Sequence, residues 1–252
     1  MLVIHGSDAS PLHELYADAQ AAGAWVVHAQ NWRDHGKGEP WAARNTAAAL
    51  IDAARVGEKV GAESIVIMDP DMVWTRRISW PGELAVDRCD LEWIHADRAK
   101  AVADRLGIAI NGDAHLTHGA RVPYVVPLSM ARQLGAEWWR VMDAYYELGA
   151  WEWSDQMVAF SLAMLSLGVR PRRLRFSKTN GAGAYKSPPD AGLLHYAYDT
   201  PYWSKRWFAD ESEPEWAQLW DPPRLPIGSV QGWVHREIYR AGRFYDRLRV
   251  KA

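Results

Sequence analysis

Cysteine is almost missing from this chain. Of 252 residues only Cys89 carries a thiol, which excludes an internal disulfide and a cysteine-rich zinc site and fits a reducing, cytoplasmic location. No apolar run is long enough to cross a bilayer, so no membrane partner is expected. The start, Met1-Leu2-Val3-Ile4-His5-Gly6, has neither the basic stretch nor the long apolar core of a signal peptide. It reads as a strand entering a turn. There is no internal repeat. Nor is there a large excess of one charge. The 29 Lys and Arg against 31 Asp and Glu leave a net −2, which argues against a generic nucleic-acid binder.

Apolar residues are plentiful at 48 %, enough for the core of one large α/β domain or two small ones. No linker is visible, so a single domain over residues 1–252 is expected. The fifteen tryptophans suit core packing, or stacking against sugars and bases. The charge is unevenly spread. Residues 170–252 hold 15 basic and 9 acidic side chains, or +6, and residues 1–169 hold 14 and 22, or −8. A basic C-terminal part faces an anion.

Leu2–His5 and Trp25–Ala29 read as strands around a helical stretch at Leu12–Ala22. A helix over Trp41–Val56, with Leu50, Ile51 and Ala54 on one face, leads to the apolar strand Ile65–Met68, buried on both faces. This β-α-β-α-β order predicts a parallel, Rossmann-like sheet. Ala96–Arg105 reads as a helix, and Gly107–Asn111 and Pro123–Pro127 as strands. Ser129 is placed to cap a long helix with the stripe Met130, Leu134, Trp138, Val141, Met142 and Tyr145. Ser154 is placed to cap another, with Met157, Phe160, Met164 and Leu165 inward and Gly168 as its stop. Ser177–Gly192 reads as a lid-like loop, Leu193–Tyr196 as a late strand and Gln231–Arg249 as an amphipathic helix.

The chemistry concentrates at a few points. The strand before Asp69-Pro70-Asp71 delivers two carboxylates where ligands of open α/β sheets bind, and hard oxygens suit Mg²⁺ or Mn²⁺. His195 ends a short apolar strand and can complete such a site, and Lys205 and Arg206 downstream can hold a diphosphate. Glu152 and Asp155 flank a helix start between bulky rings. They are candidates to bind hydroxyls or take a proton, although an acid there also simply suits the helix dipole. Asn111 and Asp113 lie in a turn suited to sugar hydroxyls, and Lys178 lies in the Gly-rich lid. Arg44 and Asn45 stand at a helix start within reach of a nucleotide, or on a plain helix surface. Arg236, Arg240, Arg243 and Arg247, at spacings of four, three and four, put four cations on one helical face. Such a face is usually just solvated, but it also suits a phosphate backbone.

Taken in order, Pro40-Trp41, Ile65–Val73 around Asp69-Pro70-Asp71, Val122–Val126, Trp153–Phe160 and Leu194–Phe208 resemble a GT-A glycosyltransferase. The closer likeness is to the hydroxyproline O-arabinosyltransferase and peptidyl serine α-galactosyltransferase group. The likeness covers roughly residues 40–208, and its specific pieces are Asp69-Pro70-Asp71 and Leu194-His195-Tyr196. The resemblance implies a GT-A-like mixed sheet flanked by helices, with a donor half at about 1–115 and an acceptor half at about 116–252. It implies Asp69, Asp71 and His195 as ligands of Mn²⁺ or Mg²⁺, Lys205 at the diphosphate, and a nucleoside diphosphate sugar, UDP-linked, as donor; Trp74 is expected beside that donor. The short, cysteine-poor chain departs from the eukaryotic members of that group. It suggests a bacterial or phage enzyme, and DNA bearing hydroxymethylated pyrimidines is a leading acceptor. Peptide or small-molecule hydroxyls are the alternative. Two rivals are a non-catalytic sugar- or nucleic-acid-binding protein on the same fold and a metal-dependent phosphohydrolase.

Overall fold

A computed structural model describes residues 2–5, 20–21, 26–32, 43–69, 72–74, 77–87, 96–110, 120–149, 152, 154–175, 177–179, 192–195 and 240. Along the chain these form β1 (Leu2–His5), β2 (Val26–Ala29), α1 (Arg44–Val60), β3 (Ser64–Ile67), β4 (Met72–Trp74), β5 (Ala85–Asp87) and α2 (Ala96–Leu106). They continue as β6 (Arg121–Pro127), α3 (Leu128–Glu147), α4 (Asp155–Ser166), β7 (Arg172–Leu174), β8 (Ser177–Thr179) and β9 (Leu193–His195). The architecture is mixed α/β. Two compact units result, one from Met1–Ile67 with Trp80–Leu174, the other from Met68–Ser79 with Arg175–Ala252. Among the described residues, no helix is long and apolar enough to cross a membrane.

In the first unit, β1 and β2 pair in parallel, Leu2 opposite Val26. The sheet then departs from the parallel reading. The partner of β3 among the described residues is β6, which runs antiparallel to it, Ile65 opposite Val126. The four-stranded order is β3-β6-β5-β7, with β5 antiparallel to β6 and parallel to β7. Apolar periodicity marks a strand but carries no direction; long-range pairing sets that. Nor is β3 covered on both faces: Ile65 is buried, while Val66 and Ile67 are half-buried.

β6 lies between two strands yet contains prolines, which have no amide to donate. Pro127 closes the strand. Pro123 falls where the ladder to β5 slips, because Val86 pairs with Tyr124 but Asp87 with Arg121. The missing donor therefore sits at a bulge. The same slip sets Arg121 against Asp87, so that Arg121 Nε and Nη2 donate to Asp87 Oδ2 at 3.1 and 2.7 Å.

The helices cover this sheet with small residues at their crossings. α1 runs past the expected Val56 to Val60, and ends at Gly61, whose φ of 66° only glycine adopts without strain. A Cβ on Gly135 of α3 would stand 2.8 Å from Ile51 Cγ1 of α1, so glycine lets the two helices approach. α2 matches expectation within a residue. Gly107, with φ 67°, ends it, and Ile108 folds back onto it through its amide, which donates to the Ala103 carbonyl at 2.9 Å. Residues 108–110 are accordingly not a strand.

Ser129 does not cap α3, which starts directly out of β6 at Leu128, with Pro127 preceding it and no side-chain cap. The Leu128 amide instead donates to the Glu63 carbonyl at 2.9 Å. The predicted stripe holds: Leu134, Trp138, Val141, Met142 and Tyr145 are buried, and Met130 is half-buried. α4 is an interior helix, buried without a break from Met157 to Met164, with Leu165 half-buried and Gly168 beyond its end at φ 65°. Phe160 stacks on Tyr124, ring centroids 4.1 Å apart, and meets Trp138 edge-on at 4.7 Å. The Trp138 indole N–H donates to the Gln156 carbonyl at 3.0 Å, so this tryptophan is a core residue with its polar edge satisfied.

The second unit holds a three-stranded sheet of order β4-β9-β8, β9 antiparallel to β4 and parallel to β8. Ser177–Thr179, expected to open a loop, is β8, because its backbone pairs with β9. Gly192 precedes β9 where a Cβ would lie 2.3 Å from Ile78 Cγ1. Of the C-terminal amphipathic helix, Arg240 is described as helical and exposed, and the rest of Gln231–Arg249 lies outside the described residues.

Candidate metal centre

In the second unit the Met72 amide donates to the Asp69 carbonyl at 3.1 Å, so the chain turns back on itself between them. Pro70 follows Asp69, the position proline favours in such a turn. The ladder then places Met72 opposite His195, Val73 opposite Leu194 and Trp74 opposite Leu193. Opposed residues share a face of an antiparallel pair. Turn and register together set Asp69 beside His195. Asp69 Oδ2 lies 3.4 Å from His195 Nε2. The imidazole is buried and the carboxylate is 35 % exposed, so one partner is fixed and the other open to solvent.

That distance is longer than the about 2.7–2.9 Å of a strong charge-assisted hydrogen bond. It is near the roughly 3 Å that separates neighbouring ligands held about 2.1 Å from one divalent ion. One oxygen and one imidazole nitrogen are donors that Mn²⁺ accepts. Among the described residues no third acid or histidine joins them. Asp71, the remaining expected ligand, lies outside the described residues, as do Lys205, Arg206, Asn111, Asp113, Arg236, Arg243 and Arg247. Trp74, on the same ladder, is 47 % exposed. Lys178 is paired in register with Leu194 on β8.

In the first unit, two expected site residues are committed to internal contacts. Arg44 is buried, its guanidinium between the rings of Trp139 and Tyr146 at 4.9 and 4.7 Å, and donates to Asp143 Oδ1 at 2.5 Å. It ties α1 to α3 and does not stand on an open helix surface. Burial raises the Asp143 carboxyl above its ordinary value, against the lowering effect of Arg44 beside it. Asn45 donates to Asn31 Oδ1 at 2.9 Å and accepts the Trp32 amide at 2.8 Å.

Asp155 is buried at the start of α4, where Arg98 Nη1 donates to its Oδ2 at 2.8 Å. The Glu152 amide donates to the same oxygen at 2.7 Å, so Asp155 closes the turn that Ser154 was expected to cap. Ser154 is buried and its side chain makes no cap. Glu152 is more open, with its side chain 45 % exposed and 4.0 Å from Arg98. Tyr145 brings a buried hydroxyl into the field of Asp155. Burial first, and then the Asp155 charge, push its phenol far up, against a smaller opposing effect of Arg98.

Arg98, Asp87, Arg121 and Asp143 were not singled out from the sequence. One of them had a readable signal: Asp87 ends the apolar run Leu84-Ala85-Val86 as Asp69 ends its own. No known family model and no curated protein sequence matches this chain.

Proposed function

We propose that this chain is a metal-dependent glycosyltransferase that moves a sugar from a nucleoside diphosphate donor, UDP-linked, to a hydroxyl group. The observation that supports the reading is the approach of Asp69 and His195, brought together from two distant segments by the β4–β9 ladder and the Asp69–Met72 turn. A carboxylate and an imidazole so placed would hold Mn²⁺ or Mg²⁺ together with Asp71. When bound, such an ion neutralises the diphosphate and so stabilises the leaving group. Lys205 and Arg206 would add cations to the same diphosphate. Trp74, exposed beside the ladder, offers a ring face to the sugar. Asn111, Asp113 and Lys178 are assigned to the donor on the sequence alone. Arg44 is left out because it is an internal tie, and Asp155 because its carboxylate is buried against Arg98. Glu152 is assigned to an acceptor hydroxyl on the sequence alone.

For the acceptor, the +6 balance of residues 170–252 favours a polyanion, and hydroxymethylated pyrimidine in DNA is the leading candidate. The test is a panel of UDP-sugars with Mn²⁺ or chelator, offered DNA containing hydroxymethylcytosine, with products followed by mass spectrometry. Sugar added to DNA only with metal supports the reading. Transfer that persists in chelator contradicts the metal role, and release of inorganic phosphate as the main product supports a phosphohydrolase instead.

A further inference from the structure

The first unit carries a second feature that the Asp69–His195 pair does not use. A cleft of about 250 Å³ opens between α1, α3 and the residues after β2, lined by Trp32, Ala48, Ile51, Asp52, Arg55 and Trp139. Trp32 and Trp139 meet edge to face, centroids 5.2 Å apart and planes at 73°, and so form two walls of a corner. On the α1 side Arg55 Nη1 donates to Asp52 Oδ1 at 3.0 Å. The two charged groups are one helical turn apart, and Ala48 and Ile51 add apolar surface beside them.

We infer that this cleft binds a single neutral pyranose ring. The volume lies just below the usual range of ligand pockets, about 300–1,000 Å³, and suits one ring better than a chain. A thin planar base stacks on one ring face, whereas a saturated ring has both a C–H face and a C–H edge to set against the two indoles. The polar pair decides the charge. A cation drawn by Asp52 meets Arg55, and an anion drawn by Arg55 meets Asp52. A pair of adjacent hydroxyls fits both, donating to the carboxylate and accepting from the guanidinium, and the ion pair holds the two heads in fixed relation. The cleft lies wholly in the first unit, and the inference stands apart from the transferase reading.

The test is titration of the full chain, without nucleotide or metal, with the methyl glycosides of glucose, galactose, xylose and N-acetylglucosamine. Tryptophan fluorescence and ligand-observed NMR report binding. At least one glycoside should bind saturably. Asp52→Asn, which keeps the shape of the side chain, should weaken it by about tenfold, the loss of one charged hydrogen bond. Trp32→Ala should abolish it, with the melting temperature reporting whether that variant folds. His195→Ala should leave it unchanged, so failure of the metal site and failure of this cleft are separable. Absence of saturable binding by any glycoside overturns the inference. So does equal affinity in Asp52→Asn, or preference for uridine or tetramethylammonium over every glycoside.

Discussion

His195 Nε2 stands 3.4 Å from Asp69 Oδ2 because β9 pairs in register with β4 and the Asp69–Met72 turn folds back onto that ladder. The position of the imidazole therefore depends on how β9 is packed as well as on its own side chain. Gly192, three residues ahead, has room for no Cβ against Ile78. Gly192→Val should shift β9, lower the melting temperature and weaken Mn²⁺ binding together. Ile78→Ala in the same chain should recover part of both. Recovery of neither would show that this contact does not set the strand.

Asp87 is fully buried and takes two hydrogen bonds from Arg121. Asp87→Ala takes this carboxylate from the part-buried Arg121 guanidinium and opens a buried site, so it should cost up to about 3–5 kcal/mol in urea unfolding. Arg121→Lys should also destabilise, because an ammonium cannot reproduce the two-nitrogen approach. A loss below about 1 kcal/mol, the level of an exposed pair, would contradict this account.

Asp155 makes a similar commitment to Arg98 and to the Glu152 amide. Asp155→Asn should therefore lower stability by roughly 2–3 kcal/mol, and any loss of activity should track loss of folded protein. Glu152→Gln should leave stability within about 0.5 kcal/mol, since the side chain is largely exposed. A stable Asp155→Asn protein with no transfer activity would instead give Asp155 a catalytic part.

The Tyr145 hydroxyl is buried and has no hydrogen-bond partner among the described residues. Its folded pKa is raised above the ordinary 10.0 by burial and by Asp155. A raised folded pKa means that its contribution to stability is intact below the unfolded value and is lost as pH climbs above it. Stability should thus fall as pH rises above about 10, where the unfolded chain releases this proton and the folded chain does not. Tyr145→Phe should be as stable as wild type, or more so, at neutral pH, and should lose less stability in the alkaline range. Parallel melts of the two proteins across that range check the sign.

The arginine stripe makes a prediction of its own. On the proposed DNA acceptor, Arg240→Ala/Arg243→Ala/Arg247→Ala should weaken binding to duplex DNA and flatten its dependence on salt, because three cations that would meet phosphates are lost. Equal affinity and equal salt slope in the two proteins would remove these arginines from the acceptor site.

Much of the first unit was legible in the sequence. The stripe from Leu134 to Tyr145 and the helix expected at Ala96–Arg105 follow from period alone, whereas β5 and β7 were not read and the strand expected at Gly107–Asn111 did not form over residues 107–110. Direction and partners were not legible. The antiparallel course of β6 and the bulge at Pro123 depend on pairing with β3 and β5, which no local pattern encodes. The ion pairs that fix the unit join residues far apart: Arg44 with Asp143, Arg98 with Asp155 and Asp87 with Arg121 are separated by 99, 57 and 34 positions. Arg44 and Asp155 read as site candidates and the other four as ordinary charges, because a partner so distant in the chain leaves no local pattern. Asp69 and His195 were readable for a different reason: each ends a short apolar run, where a polar side chain needs a special purpose.

The measurement closest to the central claim is calorimetric titration of UDP into the full chain, with and without Mn²⁺, for wild type, Asp69→Ala and His195→Ala. The account predicts that wild type binds UDP only with Mn²⁺. Both variants should lose at least about tenfold in affinity, the loss of one metal ligand, while melting as wild type does. Metal-independent UDP binding, or unchanged affinity in both folded variants, would contradict it.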